Sequence, residues 1–365
     1  MSETGRKVVV AMSGGVDSSV AALLLKRQGW DVTGLFMRSG LSEGPPEARS
    51  CCSQSDALDA RRVAVQIGVP FYVLNFADDF DRLIDYFVSE YGRGRTPNPC
   101  IVCNRDLKFG RLLDYANTIG AEAVATGHYA RLADCDGERA LLRSVDPGKD
   151  QSYALFPIPY ERLARVVLPL GEQTKDDSRR IAAEHGLRVH DKQESQDACF
   201  VAGDYADLIR ERRPELLRPG PIVDECGREV GRHPGIAAFT IGQRRGVRVA
   251  FGEPRYVVRL DAETATVHVG PHEHLLARGL LVEDVNWLTG RPPREGETIE
   301  AAVKIRYRHS ATPAEVRCRG GRVEVRFAEP QRAVTPGQAA VFYVGDRVLG
   351  GGWIARALSG EEPSP

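Results

Sequence analysis

Long apolar runs are missing from this sequence. No stretch approaches the roughly 18 consecutive apolar residues of a membrane-spanning helix, and the opening string MSETGRK lacks the apolar core of a secretory signal. We therefore expect a cytoplasmic protein with no membrane partner. Thiols stay reduced in that compartment, so the eight cysteines are expected to be thiols, catalytic groups or metal ligands rather than a disulfide framework.

An excess of charge of either sign is also missing. The 49 Lys and Arg residues nearly balance the 50 Asp and Glu residues, and the net charge is -1. This balance argues against a generally basic nucleic-acid binder and confines any nucleic-acid contact to local clusters. At 365 residues the chain is too long for one ordinary domain, so we expect two or three.

The opening glycine loop has no lysine. An apolar run at residues 8–12 is followed by SGGVDSS at 13–19 and then by apolar residues at helical spacing. A strand, a glycine turn and a helix start together offer backbone N–H groups and a positive dipole end to a phosphate. Without the lysine of a Walker A loop, the pattern favours a grip on pyrophosphate as a leaving group, with attack at the α-phosphate. The alternative is a simple turn in which Asp17 or Ser18 caps the helix. The string resembles the pyrophosphate loop of the N-type ATP pyrophosphatases.

Strand-like and helix-like patterns alternate from residue 8 to residue 126. Strands are predicted at 31–37, 71–74 and 123–126, with helical stripes between them. This alternation predicts an α/β fold with a doubly wound parallel sheet. Ligands of such sheets bind beyond the carboxyl ends of the strands, which here are Ser13, Met37, Asn75 and Gly127.

The sequence pattern changes after residue 205. The segments become short, alternating and punctuated by glycine, as at 255–260, 299–307 and 339–344. We expect a catalytic domain at 1–205, a small central β-rich domain at 206–274 and a C-terminal β-barrel-like domain at 275–365.

Two basic clusters lie in this β half. Alternation over residues 301–309 predicts a strand with Lys304, Arg306 and Arg308 on one face. Such a stripe is often only a solvated surface. The second cluster contains Arg244, Arg245 and Arg248. Together they suit a surface that contacts phosphates, with binding that weakens as salt rises.

Three cysteines are candidates for chemistry. Cys100 and Cys103 form a CxxC pair in GRTPNPCIVCN, and Cys199 lies in KQESQDACF. We expect Asn104 to cap a helix that begins just beyond Cys103. A thiol near a helix start ionises more readily, so Cys103 is a candidate nucleophile. Half a zinc site, a redox pair and two unrelated thiols are the other interpretations of the pair.

Seven strings in order along the chain resemble the tRNA-specific 2-thiouridylase family. They are SGGVDSS, GRTPNPxxxCN, ATGHYA, GKDQSY, the ACF segment around Cys199, FTIGQRRG and TPGQAAVFY. The resemblance implies a PP-loop fold of the adenine nucleotide α-hydrolase type. It implies that ATP, with Mg²⁺, adenylates O2 of the wobble uridine (U34) of tRNA and releases pyrophosphate, and that a cysteine persulfide then supplies sulfur. The implied partners are tRNA and a persulfide donor, either a cysteine desulfurase or a sulfur-relay protein.

The same resemblance assigns residues to roles. It puts the persulfide on Cys199 and the second thiol on Cys103, with a disulfide between them after sulfur transfer, and the target base against Asn98, Pro99 and Cys100. The ATP residues are Ala11, Met12, Ser13, Gly14, Gly15, Val16, Asp17, Ser18, Met37 and Gly127. The tRNA contacts are His128, Lys149, Asp150, Gln151, Arg308, His309 and Gln338.

Cys100 departs from the family pattern. Many members carry an aspartate there, and that carboxylate is thought to assist proton transfer at the base. A second hypothesis is that Cys100, Cys103 and Cys199 hold a [4Fe-4S] cluster whose fourth iron binds the transferred sulfur.

Two further functions stay open. Another adenylating PP-loop synthetase with a small-molecule substrate would need neither Cys103 and Cys199 nor a basic β half. A thiol- or metal-based RNA-binding module without enzymatic activity would not need the phosphate loop.

Overall fold

The computed structural model describes residues 5–40, 53–193, 200, 205–247 and 252–358. The strands are β1 (Lys7–Ala11), β2 (Asp31–Arg38), β3 (Phe71–Asn75), β4 (Ala123–Ala125), β5 (Ala130–Cys135), β6 (Glu138–Arg143), β7 (Val166–Val167), β8 (Gly220–Val223), β9 (Glu229–His233), β10 (Tyr256–Asp261), β11 (Thr266–Gly270), β12 (Leu276–Trp287), β13 (Thr298–Lys304), β14 (Thr312–Arg319), β15 (Arg322–Arg332), β16 (Ala339–Val344) and β17 (Arg347–Leu358). The α-helices are α1 (Val16–Arg27), α2 (Gln54–Ile67), α3 (Ala77–Gly92), α4 (Pro99–Val102), α5 (Leu112–Thr118), α6 (Ser152–Leu155), α7 (Lys175–Glu184) and α8 (Tyr205–Arg212). None of the described helices is long and apolar enough to cross a membrane.

A parallel sheet carries the first half of the molecule. Its strand order is β3-β2-β1-β4-β7, and β1 pairs in parallel with both β2 and β4. The order therefore changes direction at β1, and the loop that follows β1 lies at the switch point where ligands of such sheets bind. The predicted α/β fold with a doubly wound parallel sheet is confirmed.

Helices cover both faces of this sheet because the central strand is apolar on both sides. Val8 and Val10 pack into one core with residues of α1 and α2. Val9 packs into a second core with the apolar stripe of α3 and with the helix that carries Cys103. The alternation along one strand thus fixes α1 and the cysteine-bearing helix on opposite faces of the sheet.

Two mainly-β units follow, as predicted. One is a four-stranded sheet in the order β10-β11-β8-β9. The other runs β12-β15-β14-β13-β16-β17 and closes into a barrel because β12 also pairs with β17. Closure pairs β12 with β17 and so covers strand edges that would otherwise be open to unwanted pairing.

The first part of the chain also reaches the barrel. Strands β5 and β6 form a hairpin with an Asp136-Gly137 turn, and both turn residues have positive φ. Strand β6 joins the barrel strand β17 through the pair Leu142 and Arg347. The domain bounds 1–205, 206–274 and 275–365 stay a prediction, and this hairpin bridges two of those units.

The strand predicted over residues 299–307 is shorter than expected. Strand β13 ends at Lys304. Beyond it Ile305 is buried, and the Arg306 guanidinium donates to the backbone carbonyls of Arg332 and Ala333. These contacts turn the chain away from the extended strand conformation. The predicted alternation of inward and outward side chains therefore does not continue to residue 309.

Candidate active site

A cavity of about 350 Å³ opens where the carboxyl ends of β1, β2 and β4 meet. Its volume lies in the range of small-molecule sites. The loop at residues 13–19, called here the phosphate loop, forms one wall. The helix that begins at Pro99 forms another. Its lining includes Ala11, Met12, Ser13, Gly15, Val16, Asp17, Ser18, Met37, Asp56, Pro99, Cys100, Cys103, Lys108, Thr126, Gly127, His128, Gln151, Lys192, Gln193 and Phe200. Every residue assigned to ATP lies in this lining except Gly14.

The start of α1 is open toward this cavity. Gly15 is the N-cap residue, and no side chain caps the helix. The alternative in which Asp17 or Ser18 caps α1 is therefore wrong. The Ser18 hydroxyl instead accepts from the backbone N–H of Ser13 at 3.1 Å and donates to the carbonyl of Gly15 at 3.2 Å. Because no side chain among the described residues caps this helix start, its first-turn N–H groups are available to an anion.

Two glycines let neighbouring elements approach the loop. Gly14 has a φ of +72°, and a Cβ there would lie 2.2 Å from the carbonyl oxygen of Asp56. A Cβ at Gly127 would lie 2.6 Å from the backbone of Asp17 and Ser18. Gly14 therefore stays outside the lining because α2 packs on its backbone, while Gly127 brings the end of β4 against the loop.

Two lysines distant in sequence stabilise the loop that has none of its own. Lys175 donates to both carboxylate oxygens of Asp17, at 2.7 and 2.9 Å. Lys192 donates to the carbonyl of Gly14 at 3.1 Å and to the carboxylates of Asp56 and Asp59 at 2.7 and 2.8 Å. Burial alone would lower the pKa of Lys192, but the two carboxylates raise it above its usual value.

Neither lysine could be predicted from the sequence. They are 158 residues from Asp17 and 178 residues from Gly14. No local pattern marks either of them, because only the packing of distant segments brings them to the loop.

The helix that carries the thiols begins earlier than predicted. It starts at Pro99, and Asn98 is its N-cap, with the side-chain oxygen accepting from the backbone N–H of Cys100 at 3.2 Å. Asn104 does not cap a helix. It is buried inside one and donates to the carbonyl of Ala154 at 2.9 Å. Proline suits the first helical position because its missing N–H would have no partner there.

This start changes which thiol lies in the first helical turn. Cys100 lies there and is exposed, whereas Cys103 lies one turn later and is buried. Both line the cavity. Cys100 therefore holds the helix-start position that favours a reactive thiol, whereas Cys103 lies in a sheltered position in the same cavity as the phosphate loop.

The third cysteine, Cys199, lies outside the described residues, as does Arg248. Gln193 and Phe200, the described residues on either side of 194–199, both line the cavity. Across the described part of the chain, no group of three or more His, Cys, Asp or Glu side chains could hold a metal ion. The Cys103–Cys199 disulfide and the cluster stay predictions.

His128 lies in the cavity wall. Its Nδ1 is 2.7 Å from the hydroxyl of Thr126, and its Nε2 is 3.5 Å from the ammonium of Lys108. Burial, and secondarily the charge of Lys108, hold the pKa of His128 well below 6.5. The ring is therefore neutral at pH 7.

The other residues assigned to tRNA are spread over two regions. Gln151 lines the cavity, and its side-chain oxygen accepts from the backbone of Tyr129 at 2.9 Å. Asp150 accepts from two backbone N–H groups of its own turn. On the barrel side Arg308 is exposed, burial lowers the pKa of His309, and Gln338 donates to the carbonyl of Thr96 at 2.9 Å. Their contacts with tRNA, like that of Lys149, stay predictions.

Three family models match consecutive parts of the chain. Residues 6–203 match a tRNA methyl transferase HUP domain, 206–271 a tRNA methyl transferase PRC-barrel domain and 277–354 an aminomethyltransferase beta-barrel domain. The chain is 52% identical to the tRNA-specific 2-thiouridylase MnmA of Geobacter metallireducens, over 98% of this chain and 100% of that protein. The chain belongs to the tRNA-specific 2-thiouridylase family.

Other members of the 2-thiouridylase family match almost as fully. The protein of the same name from Geotalea uraniireducens is 49% identical over 97% of this chain and 96% of its own length. The one from Rhodopirellula baltica is 46% identical over 96% of this chain and 97% of its own length. The predicted family resemblance is confirmed.

Proposed function

We propose that this protein is a transferase that uses ATP to 2-thiolate the wobble uridine of tRNA. The observation that carries the proposal is that the open phosphate loop and the thiols Cys100 and Cys103 line one cavity. An uncapped helix start suits the phosphates of ATP, and a thiol suits sulfur transfer. The relatives are named tRNA-specific 2-thiouridylases. The methyl transfer named by two of the family models would leave both the loop and the thiols without a use.

Adenylation comes first in the proposed reaction. O2 of the uridine forms a bond to the α-phosphorus as the bond to pyrophosphate breaks, and N3 loses its proton to water. This step is needed because the oxygen of a urea-like carbonyl is a poor leaving group, whereas AMP is a good one. The first turn of α1 would bind the phosphates through its backbone N–H groups.

Sulfur transfer follows. The terminal sulfur of a persulfide on Cys199 attacks C2, and the thiolate of Cys103 attacks the inner sulfur, so that the sulfur–sulfur bond breaks. N3 regains a proton from water, the C2–O2 bond breaks, AMP leaves, and a Cys103–Cys199 disulfide remains for an external dithiol to reduce. The cysteine desulfurase or sulfur-relay protein would reload Cys199.

Magnesium would be held chiefly by the phosphates of ATP and by water, as is usual for this ion. Among the described residues, Asp17 and Asp56 are the carboxylates in the cavity lining, and both form ion pairs with lysines. The ion would neutralise the leaving pyrophosphate.

One assay tests the function. We would measure 2-thiouridine in tRNA after incubation with ATP and a persulfide donor, for the wild type and for Cys103→Ser and Cys199→Ser. The wild type should thiolate the wobble uridine, and each variant should lose activity. Full activity in both serine variants would contradict the thiol roles, and no 2-thiouridine from the wild type would contradict the function.

A cluster-dependent version of the same thiolation is the second candidate, because Cys100 and Cys103 line the same cavity. With Cys199 these thiolates would fit the three ligands of a [4Fe-4S] cluster. Anaerobic purification with iron and sulfide analysis separates the two versions. Colourless, iron-free and fully active protein would exclude the cluster-dependent version.

A further inference from the structure

Lys108 differs from the other cations around the cavity. Lys175 is paired with Asp17, and Lys192 is paired with Asp56. Among the described residues, the recorded polar contact of the Lys108 ammonium is with the Nε2 atom of His128, at 3.5 Å. An ammonium can only donate a hydrogen bond, so Nε2 accepts, and Nδ1 carries the proton toward Thr126.

Because His128 is neutral, the described residues in contact with the Lys108 ammonium add no compensating charge. Burial holds the pKa of the ring far below 7, so the imidazole orients Lys108 without adding or cancelling charge. A lysine that lines a cavity and faces a neutral acceptor is suited to an incoming anion.

The helix geometry aims Lys108 into the cavity. The segment Cys103–Arg111, between α4 and α5, is π-helical. Its wider turns bring residue i+5 closer around the axis to residue i than an α-helix does, and both Cys103 and Lys108 line the cavity. In an α-helix the same two side chains would be about 140° apart around the axis. The π-helical turn thus puts an ammonium and a thiol on one wall, facing the phosphate loop.

We propose that Lys108 is a further catalytic residue of the reaction given under the proposed function, on which this inference rests. As the C2–O2 bond breaks, its electron pair leaves on O2 as part of AMP. The Lys108 ammonium donates a hydrogen bond to a non-bridging oxygen of that phosphate and keeps its own proton. It acts on the same phosphate during adenylation, when charge builds up at the α-phosphorus.

The test compares Lys108→Met, which keeps the length and loses the charge, with Lys108→Arg, which keeps the charge. We would measure single-turnover 2-thiouridine formation at saturating ATP, pyrophosphate release and ATP affinity. Lys108→Met should slow both reactions about 10²- to 10³-fold, the usual effect of removing one transition-state donor. Its ATP affinity should change by less than about threefold, and Lys108→Arg should stay within about tenfold of the wild type.

Arg111→Met is the matched control, since it removes a cation from the same π-helical segment at a largely exposed position. It should react at the wild-type rate. Lys108→Gln replaces Lys108→Met if the latter unfolds. A wild-type rate in the neutral variants, an equal loss of rate in Arg111→Met, or a loss of ATP affinity as large as the loss of rate would each overturn the role of Lys108. A wild type that forms no 2-thiouridine would instead overturn the proposed function.

Discussion

At the scale of single residues, the phosphate loop illustrates what a sequence can and cannot predict. The anion-binding role predicted for it rests on residues 13–19 alone, because such binding depends on backbone N–H groups that adjacent residues set. The lysines that stabilise it could not be predicted. Lys175 and Lys192 reach the loop only through the packing of segments far along the chain.

Gly14 provides the sharpest test of the loop. Gly14→Ala would strain a φ of +72° and bring a Cβ to 2.2 Å from the Asp56 carbonyl. We expect ATP affinity to fall at least about tenfold, since the loop and the start of α2 must separate. Equilibrium ATP binding checks this.

Gly29→Ala is its matched control. Gly29 has a φ of +86°, but a Cβ there would meet nothing within 4 Å. We expect a loss of about 1 kcal/mol in unfolding free energy and unchanged ATP affinity. Equal effects of the two substitutions on ATP binding would mean that the packing on Asp56 does not matter.

At the scale of secondary-structure elements, local sequence patterns predicted the type of an element well but its first and last residues poorly. The helix at the CxxC pair exists, but its start was misplaced because Pro99 and Asn98 form a better N-terminus than Asn104. The basic strand stops at Lys304, whose ammonium lies over the rings of Tyr153 and Tyr307. Burial lowers the pKa of Arg306, which is bonded internally, so this cationic face is smaller than predicted.

The turn with Arg244 and Arg245 remains a suitable surface for phosphates. Gln243 shapes it by accepting from the backbone of Thr240 at 3.0 Å and donating to the carbonyl of Arg245 at 2.9 Å. Both arginines are exposed. The double change to Ala should weaken tRNA binding and lower the salt slope by about 1 for each phosphate that the protein no longer neutralises.

Filter binding of tRNA at several salt concentrations checks this prediction. ATP affinity should not change. Arg232→Ala is the control. Arg232 lies on β9 of the four-stranded sheet, and the variant should bind tRNA normally. Unchanged tRNA affinity in the double variant would refute the assignment.

At the scale of the whole molecule, the barrel supports the segment that leads to the thiols. The backbone N–H of Thr96 donates to the carbonyl of Pro336 at 2.9 Å, and its carbonyl accepts from Gln338. Arg95 pairs with Glu90 of α3 and with Glu283 of the barrel, at 2.7 and 2.8 Å. The motifs GRTPNP and TPGQ were both visible in the sequence, but their contact spans 242 residues and could not be predicted from local patterns.

Gly337→Ala tests this contact. A Cβ at Gly337 would lie 2.9 Å from the Arg95 side chain and from the Thr96 nitrogen. We expect slower thiolation with unchanged ATP affinity, because the cysteine helix would shift while the phosphate loop stays in place. Gly345→Ala, also at positive φ but with no atom within 4 Å, should keep the wild-type rate. Equal rates for the two variants would contradict the role of the barrel.

The most direct measurement counts two products of one single-turnover reaction with ATP, tRNA and a persulfide donor. These are the pyrophosphate released and the 2-thiouridine formed at the wobble position. We expect one pyrophosphate for each 2-thiouridine. When tRNA is omitted, we expect neither product to form. Sulfur incorporation without pyrophosphate release, or pyrophosphate release that ignores tRNA and yields no 2-thiouridine, would contradict ATP-dependent thiolation at this cavity.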